Sequence, residues 1–180
     1  MPNKDLLLVI DMQNVYLPGE EWGCPGFPQA AKNITALLDS GIPAVFTRFV
    51  APGDPVGAWQ DYNRDYVHIN ESAYLNDLAS ELKPYLSRCP LVDKSTYSSW
   101  TVEVARLAEG YGRILLAGVV AECCVLATLM AAMDAGKKVV YLTDCVAGQS
   151  ADYEDAVRKI AETYVPTHAH VMDRREYLQA

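Results

Sequence analysis

Positive charge is scarce in this chain. Lys and Arg total 15 against 23 Asp and Glu, a formal net charge of −8. Docking on nucleic acid or on an anionic membrane needs a basic face, so neither is expected as a partner. Net acidity otherwise speaks mainly to solubility. No CxxC pair occurs, which argues against a zinc ribbon or a thioredoxin-type site. The five cysteines (Cys24, Cys89, Cys123, Cys124 and Cys145) are odd in number and lack framework spacing, so a secreted disulfide scaffold is excluded. A long hydrophobic run is also missing. The apolar stretch 6–10 is too short for a signal-peptide core or a membrane span, and it ends in Asp11. A cytoplasmic protein is expected. No repeat, low-complexity segment or linker divides the 180 residues, and 51% of them are hydrophobic, enough for a sizeable core. One domain, 1–180, is expected.

What is present is an alternation of short apolar runs with helical periodicity. Strands are predicted over 6–11, 42–49, 90–94, 113–120, 138–144 and 167–172. Helices are predicted over 29–40, 101–109, 122–135 and 152–164, with Gly41, Gly110 and Gly136 at three of their ends. Ala127, Ala131 and Ala135 recur at spacing four, which predicts a helix lying close to the sheet along that stripe. A Pro/Gly-rich loop is expected over 17–28, and a long loop with Trp59 and Tyr62 after the second strand. Apolar strands joined by helices predict a three-layer α/β/α sandwich with a six-stranded, mostly parallel sheet. In such sheets the ligand crevice lies beyond the carboxyl ends of the strands.

Three of those ends carry chemistry. The first strand ends in Asp11, the third in Asp93-Lys94, and the fourth runs into Glu122-Cys123-Cys124 at a helix start. A thiol there is favoured as thiolate by the helix dipole, a carboxylate can take and return its proton, and an ammonium can orient the pair. Free backbone N–H groups at Ala121 and Cys124 suit a developing oxyanion. Each residue alone has an ordinary alternative: a buried small hydrophobe, a turn residue, a solvated lysine. Their joint placement is the signal.

The motifs around them are ordered. The first reads Leu8-Val9-Ile10-Asp11-Met12-Gln13-Asn14, the second Lys94-Ser95-Thr96-Tyr97-Ser98-Ser99-Trp100, and the third Gly118-Val119-Val120-Ala121-Glu122-Cys123-Cys124-Val125. From Leu6 to about Met172 the chain resembles the isochorismatase-like cysteine hydrolases, which include nicotinamidases, N-carbamoylsarcosine amidohydrolases and ureidoacrylate hydrolases. The resemblance implies a triad of Asp11, Lys94 and Cys124, six parallel strands, a cis peptide at Val120–Ala121, and an assembly of two or more copies. Ala121 stands where the family pattern has Thr, and Glu122 where it has Asp. The spacing from Gly118 selects Cys124 as nucleophile and leaves Cys123 to packing.

Nicotinamidases carry an Asp-x-His metal motif after the second strand. The matching stretch here is Thr47-Arg48-Phe49-Val50-Ala51-Pro52, with His68 alone in the following loop. No metal and no cofactor are therefore expected. His168 and His170 form an i, i+2 pair with no third ligand nearby.

The expected activity is a metal-independent amidohydrolase acting on a small amide, ureide or carbamoyl substrate through a thioester. Gln13, Trp59, Tyr97 and Trp100 are candidate substrate contacts, and Arg48 a candidate for a substrate carboxylate. Two alternatives stay open: a vinyl ether hydrolase of the isochorismatase type, which needs no thiol, and a redox-responsive or partner-binding protein using the Cys123–Cys124 pair.

Overall fold

The computed structural model describes residues 4–179. Its strands are β1 (Asp5–Ile10), β2 (Ala44–Phe49), β3 (Leu91–Lys94), β4 (Arg113–Val119), β5 (Lys138–Ala147) and β6 (Ala169–Met172). They form a single parallel sheet in the order β3-β2-β1-β4-β5-β6. Chain order therefore reverses between β1 and β4. That pair forms the switch point, where a crevice opens because the connections leave toward opposite sides.

β1 and β4 are buried along nearly their whole length, so both faces of each strand need apolar side chains. Leu7, Val9, Leu115 and Ala117 join one core with helix α1 (Phe27–Asp39). Leu6, Leu8, Ile10, Ile114 and Leu116 join the other. That second core receives α5 (Val102–Leu107), α6 (Leu126–Asp134) and α7 (Ala151–Glu162). The layers are thus helix, sheet, helix, as the alternation of runs predicts.

β1 and β4 approach so closely at their ends that position 118 tolerates no side chain. Gly118 has φ +113°, and a Cβ there would sit 2.1 Å from the Ile10 carbonyl oxygen. This glycine opens the third motif, and its place next to Ile10 sets Asp11 beside the turn that carries Cys124.

Five points of local structure depart from the sequence reading. The long loop after β2 contains α2 (Ala58–Asp65), α3 (Val67–Asn70) and α4 (Ala73–Asn76), whose short length and few buried residues leave little apolar periodicity to read. A C-terminal helix, α8 (Arg174–Gln179), also went unpredicted. The alanine stripe of α6 does not face the sheet. Thr128, Leu129, Ala132 and Met133 take that side, because Leu129 and Met133, two positions on from Ala127 and Ala131, bury more apolar surface. Last, α6 is preceded by a five-residue π-helical turn, Ala121–Val125, where a continuous helix was expected. The cis peptide in this region is Val119–Val120, one residue before the position that the resemblance implies. β4 ends at Val119, so the chain leaves the sheet one residue earlier.

Candidate active site

Asp11 follows β1 with φ 50°, a left-handed conformation that aspartate accepts more readily than most residues. Its side chain is fully buried. One carboxylate oxygen, Oδ1, accepts from the Thr47 hydroxyl at 2.8 Å. The other, Oδ2, lies 2.6 Å from Lys94 Nζ, whose side chain is equally buried.

Lys94 reaches Asp11 from β3, which is not a neighbour of β1. Two inter-strand spacings separate them, roughly 9–10 Å, and lysine is long enough to cross that gap above β2. On the way Nζ passes 5.3 Å from the centre of the Phe49 ring. It donates to the Thr96 and Tyr97 carbonyls at 2.8 and 3.0 Å and to Cys124 Sγ at 3.3 Å. The ammonium thus bridges the carboxylate and the thiol.

Cys124 sits in the π-helical turn and is 4% exposed. Burial foremost, then the neighbouring Asp11 carboxylate, pushes its thiol well above the ordinary cysteine range, while Lys94 pulls the other way. In this turn the Val120 carbonyl takes the N–H groups of Cys123 and Val125, and neither that of Ala121 nor that of Cys124. The two N–H groups expected to meet an oxyanion are therefore not spent on Val120.

A ring of small hydroxyls, not foreseen from the sequence, ties these elements together. The Thr47 hydroxyl contacts Ser99 Oγ at 3.0 Å, and the Ser99 N–H donates to Thr128 Oγ1 at 2.8 Å. The Thr128 hydroxyl in turn donates to the Cys124 carbonyl at 2.6 Å. All three residues are fully buried. The available signals were a threonine inside the apolar strand Ala44–Phe49 and a second one four residues after Cys124, on the same helix face.

Above the thiol opens a cavity of about 340 Å³. Its wall is mostly aromatic: Tyr16 and Trp22 after β1, Phe49 at the end of β2, Trp59, Tyr62 and Tyr66 from the helical connection, and Tyr97 after β3. Val120, Cys123, Cys124 and Gln149 complete it. The rings pack on one another, with centroids 5.4 Å apart for Trp59 and Tyr97 and 5.2 Å for Trp22 and Tyr66.

Of the candidate contacts, Trp59 and Tyr97 line this cavity, and two others do not. Gln13 is buried, and its amide is occupied: Nε2 donates to the Phe49 and Asn76 carbonyls, and Oε1 accepts from the Phe49 N–H. It pins the end of β2, and with both donors used and the side chain buried it does not reach the cavity. Trp100 packs against the core on the helical side of α5 and α6, away from the cavity. Arg48 is also taken, by a bidentate pair with Asp93 at 2.8 and 2.7 Å. Cys123, assigned to packing, is half-buried and forms part of the cavity wall as well.

Where a metal motif would lie, the structure has Thr47 bound to Asp11, and His68 paired with Glu21 at 2.8 Å. Among the described residues no group of three His, Cys, Asp or Glu side chains is placed to hold a metal ion. The donor set does not fit one.

The isochorismatase domain profile matches residues 5–176 of the chain. The chain belongs to the isochorismatase family. Its fold is shared by an isochorismatase-like hydrolase from Alkaliphilus metalliredigens, 20% identical with a TM-score of 0.80, over 98% of this chain and 97% of that one. A cysteine hydrolase from Pseudomonas syringae pv. phaseolicola 1448A is 20% identical with a TM-score of 0.82, over 98% and 91%. The MAR1 ribonuclease from Caenorhabditis elegans is 20% identical with a TM-score of 0.75, over 98% and 80%. At such identities these likenesses establish the fold. No protein of curated function matches the chain by sequence. Membership makes this isochorismatase-family chain a hydrolase, and no helix among its described residues is long and apolar enough to cross a membrane.

Proposed function

We propose that the protein is a cysteine hydrolase that cleaves the C–N bond of a small amide, ureide or carbamoyl compound. The observation that carries this reading is the buried Asp11–Lys94–Cys124 cluster opening onto a substrate-sized cavity. Asp11 takes the Cys124 proton as the sulfur attacks the substrate carbonyl, and Lys94 holds carboxylate and sulfur in register. The tetrahedral oxyanion rests on the Ala121 and Cys124 N–H groups. Collapse expels the amine, which receives the proton from Asp11 and leaves a thioester on Cys124. Water, activated by the same carboxylate, then hydrolyses the thioester and regenerates the thiol.

The raised thiol suits this sequence. A sulfur that ionises only when Asp11 accepts its proton stays unreactive until a carbonyl occupies the cavity. No step needs a metal, since Asp11 and Lys94 supply the proton transfer and the charge balance.

The test is a screen of small amides, ureides and N-carbamoyl compounds, with Cys124→Ser as the blank. Mass spectrometry on a slowly turned-over compound should show Cys124 carrying the acyl group, that is, substrate minus its amine. Turnover with an adduct on Cys123 alone would overturn the assignment.

A further inference from the structure

One polar side chain on the cavity wall has no part in the mechanism. Gln149 follows β5, is exposed, and lines the cavity together with the aromatic rings. Its backbone is held at three successive residues. The Gly148 N–H donates to Glu154 Oε1 at 2.9 Å, and the Gln149 N–H donates to Glu122 Oε1 at 3.1 Å. Ser150 then caps α7, its hydroxyl accepting from the Tyr153 N–H at 3.2 Å. Packing beneath the turn is as tight: a Cβ on Gly148 would lie 2.5 Å from Glu122 Oε2.

Glu122 belongs to the same π-helical turn as Cys124. It therefore fixes the Gln149 backbone relative to the sulfur. The carboxamide itself makes no hydrogen bond to another described residue. A fixed backbone with an uncommitted donor–acceptor head is the arrangement of a preorganised reading group.

The cavity wall also contains no Arg, Lys or His among the described residues. Lys94, whose Nζ touches the Cys124 sulfur at 3.3 Å, is already paired with Asp11, and Arg48 is paired with Asp93. A carboxylate entering this aromatic box would lose its hydration with no cation to receive it. A primary or secondary amide, urea or imide edge would meet Gln149 instead, which offers both a donor and an acceptor.

We propose that Gln149 is the specificity-determining residue of the site. It selects uncharged, flat substrates with an amide-like edge and disfavours those carrying a carboxylate. Glu122 is the positioning residue that sets the Gln149 backbone. The inference rests on the reading of this cavity as the substrate site, and it narrows the substrate class.

The test separates binding from turnover. Trp22 and Trp59, two of the chain's three tryptophans, line the cavity, so their fluorescence reports occupancy. In a Cys124→Ser background, benzamide should quench that fluorescence, and benzoate should bind about tenfold more weakly or worse. Gln149→Leu should weaken benzamide about tenfold, the loss expected for a hydrogen-bonded edge, and should raise KM more than it lowers kcat for any amide turned over. Gln149→Arg should shift the preference toward benzoate. Equal binding of benzoate and benzamide, or unchanged benzamide affinity in Gln149→Leu, would overturn the proposal. If the binding results follow expectation while no amide in the screen is hydrolysed, selection by Gln149 stands and the C–N hydrolase reading falls.

Discussion

The floor of the cavity comes from strand ends, while much of its wall comes from the short helices between β2 and β3. On the floor, the side chains of Asp11 and Lys94 are completely buried, and each is held by several partners from other segments of the chain. On the wall, Trp59 and Tyr62 belong to α2, which has no buried residue, and Tyr97 is 51% exposed. The wall is held by ring-on-ring contact, whereas the floor is held by charge-assisted and hydroxyl hydrogen bonds. Such bonds are directional and costly to leave unmade, and ring contacts are broad and tolerant. The floor is therefore rigidly placed, while the wall can vary without unfolding the protein.

The largest break in this contrast should come from the floor. Cys124→Ala and Asp11→Asn are each expected to lower turnover by about a thousandfold or more while leaving the circular dichroism spectrum unchanged. Residual turnover near wild type in Cys124→Ala would remove the thiol from the mechanism and favour the vinyl ether alternative.

Next is the hydroxyl ring. Thr47→Val keeps the shape of the side chain but removes its bonds to Asp11 and Ser99. Loss of a hydrogen bond to a buried charge should cost about 1.5–3 kcal/mol, lowering kcat roughly 10- to 100-fold and Tm by several degrees. A drop in Tm with full kcat would make the ring a structural brace only.

The wall should respond differently. Trp59→Ala is expected to raise KM about tenfold with kcat changed little and Tm nearly unmoved, because α2 buries almost nothing. A collapse of kcat would place the wall in the chemistry and erase the distinction.

The smallest effect is on pH dependence. Burial pushes the Cys24 thiol up to about 12, from an ordinary value near 9. The folded state then holds this proton more tightly than the unfolded state, so the thiol's stabilising contribution is full below pH 9 and fades as pH rises toward 12. Removing the thiol by Cys24→Ala should flatten the fall in urea midpoint above pH 9, by at most about 1.4 kcal/mol per pH unit. Cys123→Ala, at the half-exposed wall, should alter that slope less. Equal slopes for the two variants would mean that wall and core thiols are equally protected.

The floor was largely legible in the sequence because its residues sit at the ends of apolar runs. Asp11, Lys94 and Cys124 each follow a strand that periodicity alone locates, and right-handed parallel connections bring such ends to one edge. Gln13 was misread because a polar residue near a catalytic one looks the same whether it faces a ligand or a backbone. Its amide had no means of announcing that Phe49, 36 residues away, would use it. Trp100 was misread for a similar reason: an aromatic after the lysine motif can turn to either face of the sheet. The helices α2 to α4 were missed, although Trp59 on α2 was among the candidate contacts, since short segments with few buried residues show almost no pattern.

By itself, then, the sequence determined the layer architecture and the three strand ends that carry Asp11, Lys94 and Cys124, since local periodicity and motif spacing encode these; that position 118 admits only glycine follows from the close approach of Ile10. Tertiary structure alone decided that Lys94 spans two strands to reach Asp11, and that Thr47, Ser99 and Thr128 close a ring beneath Cys124. It also decided that Gln149 and Cys124 line the same aromatic cavity. These are relations between residues far apart in the chain, and side-chain direction at such distances is set by packing, which no local pattern records.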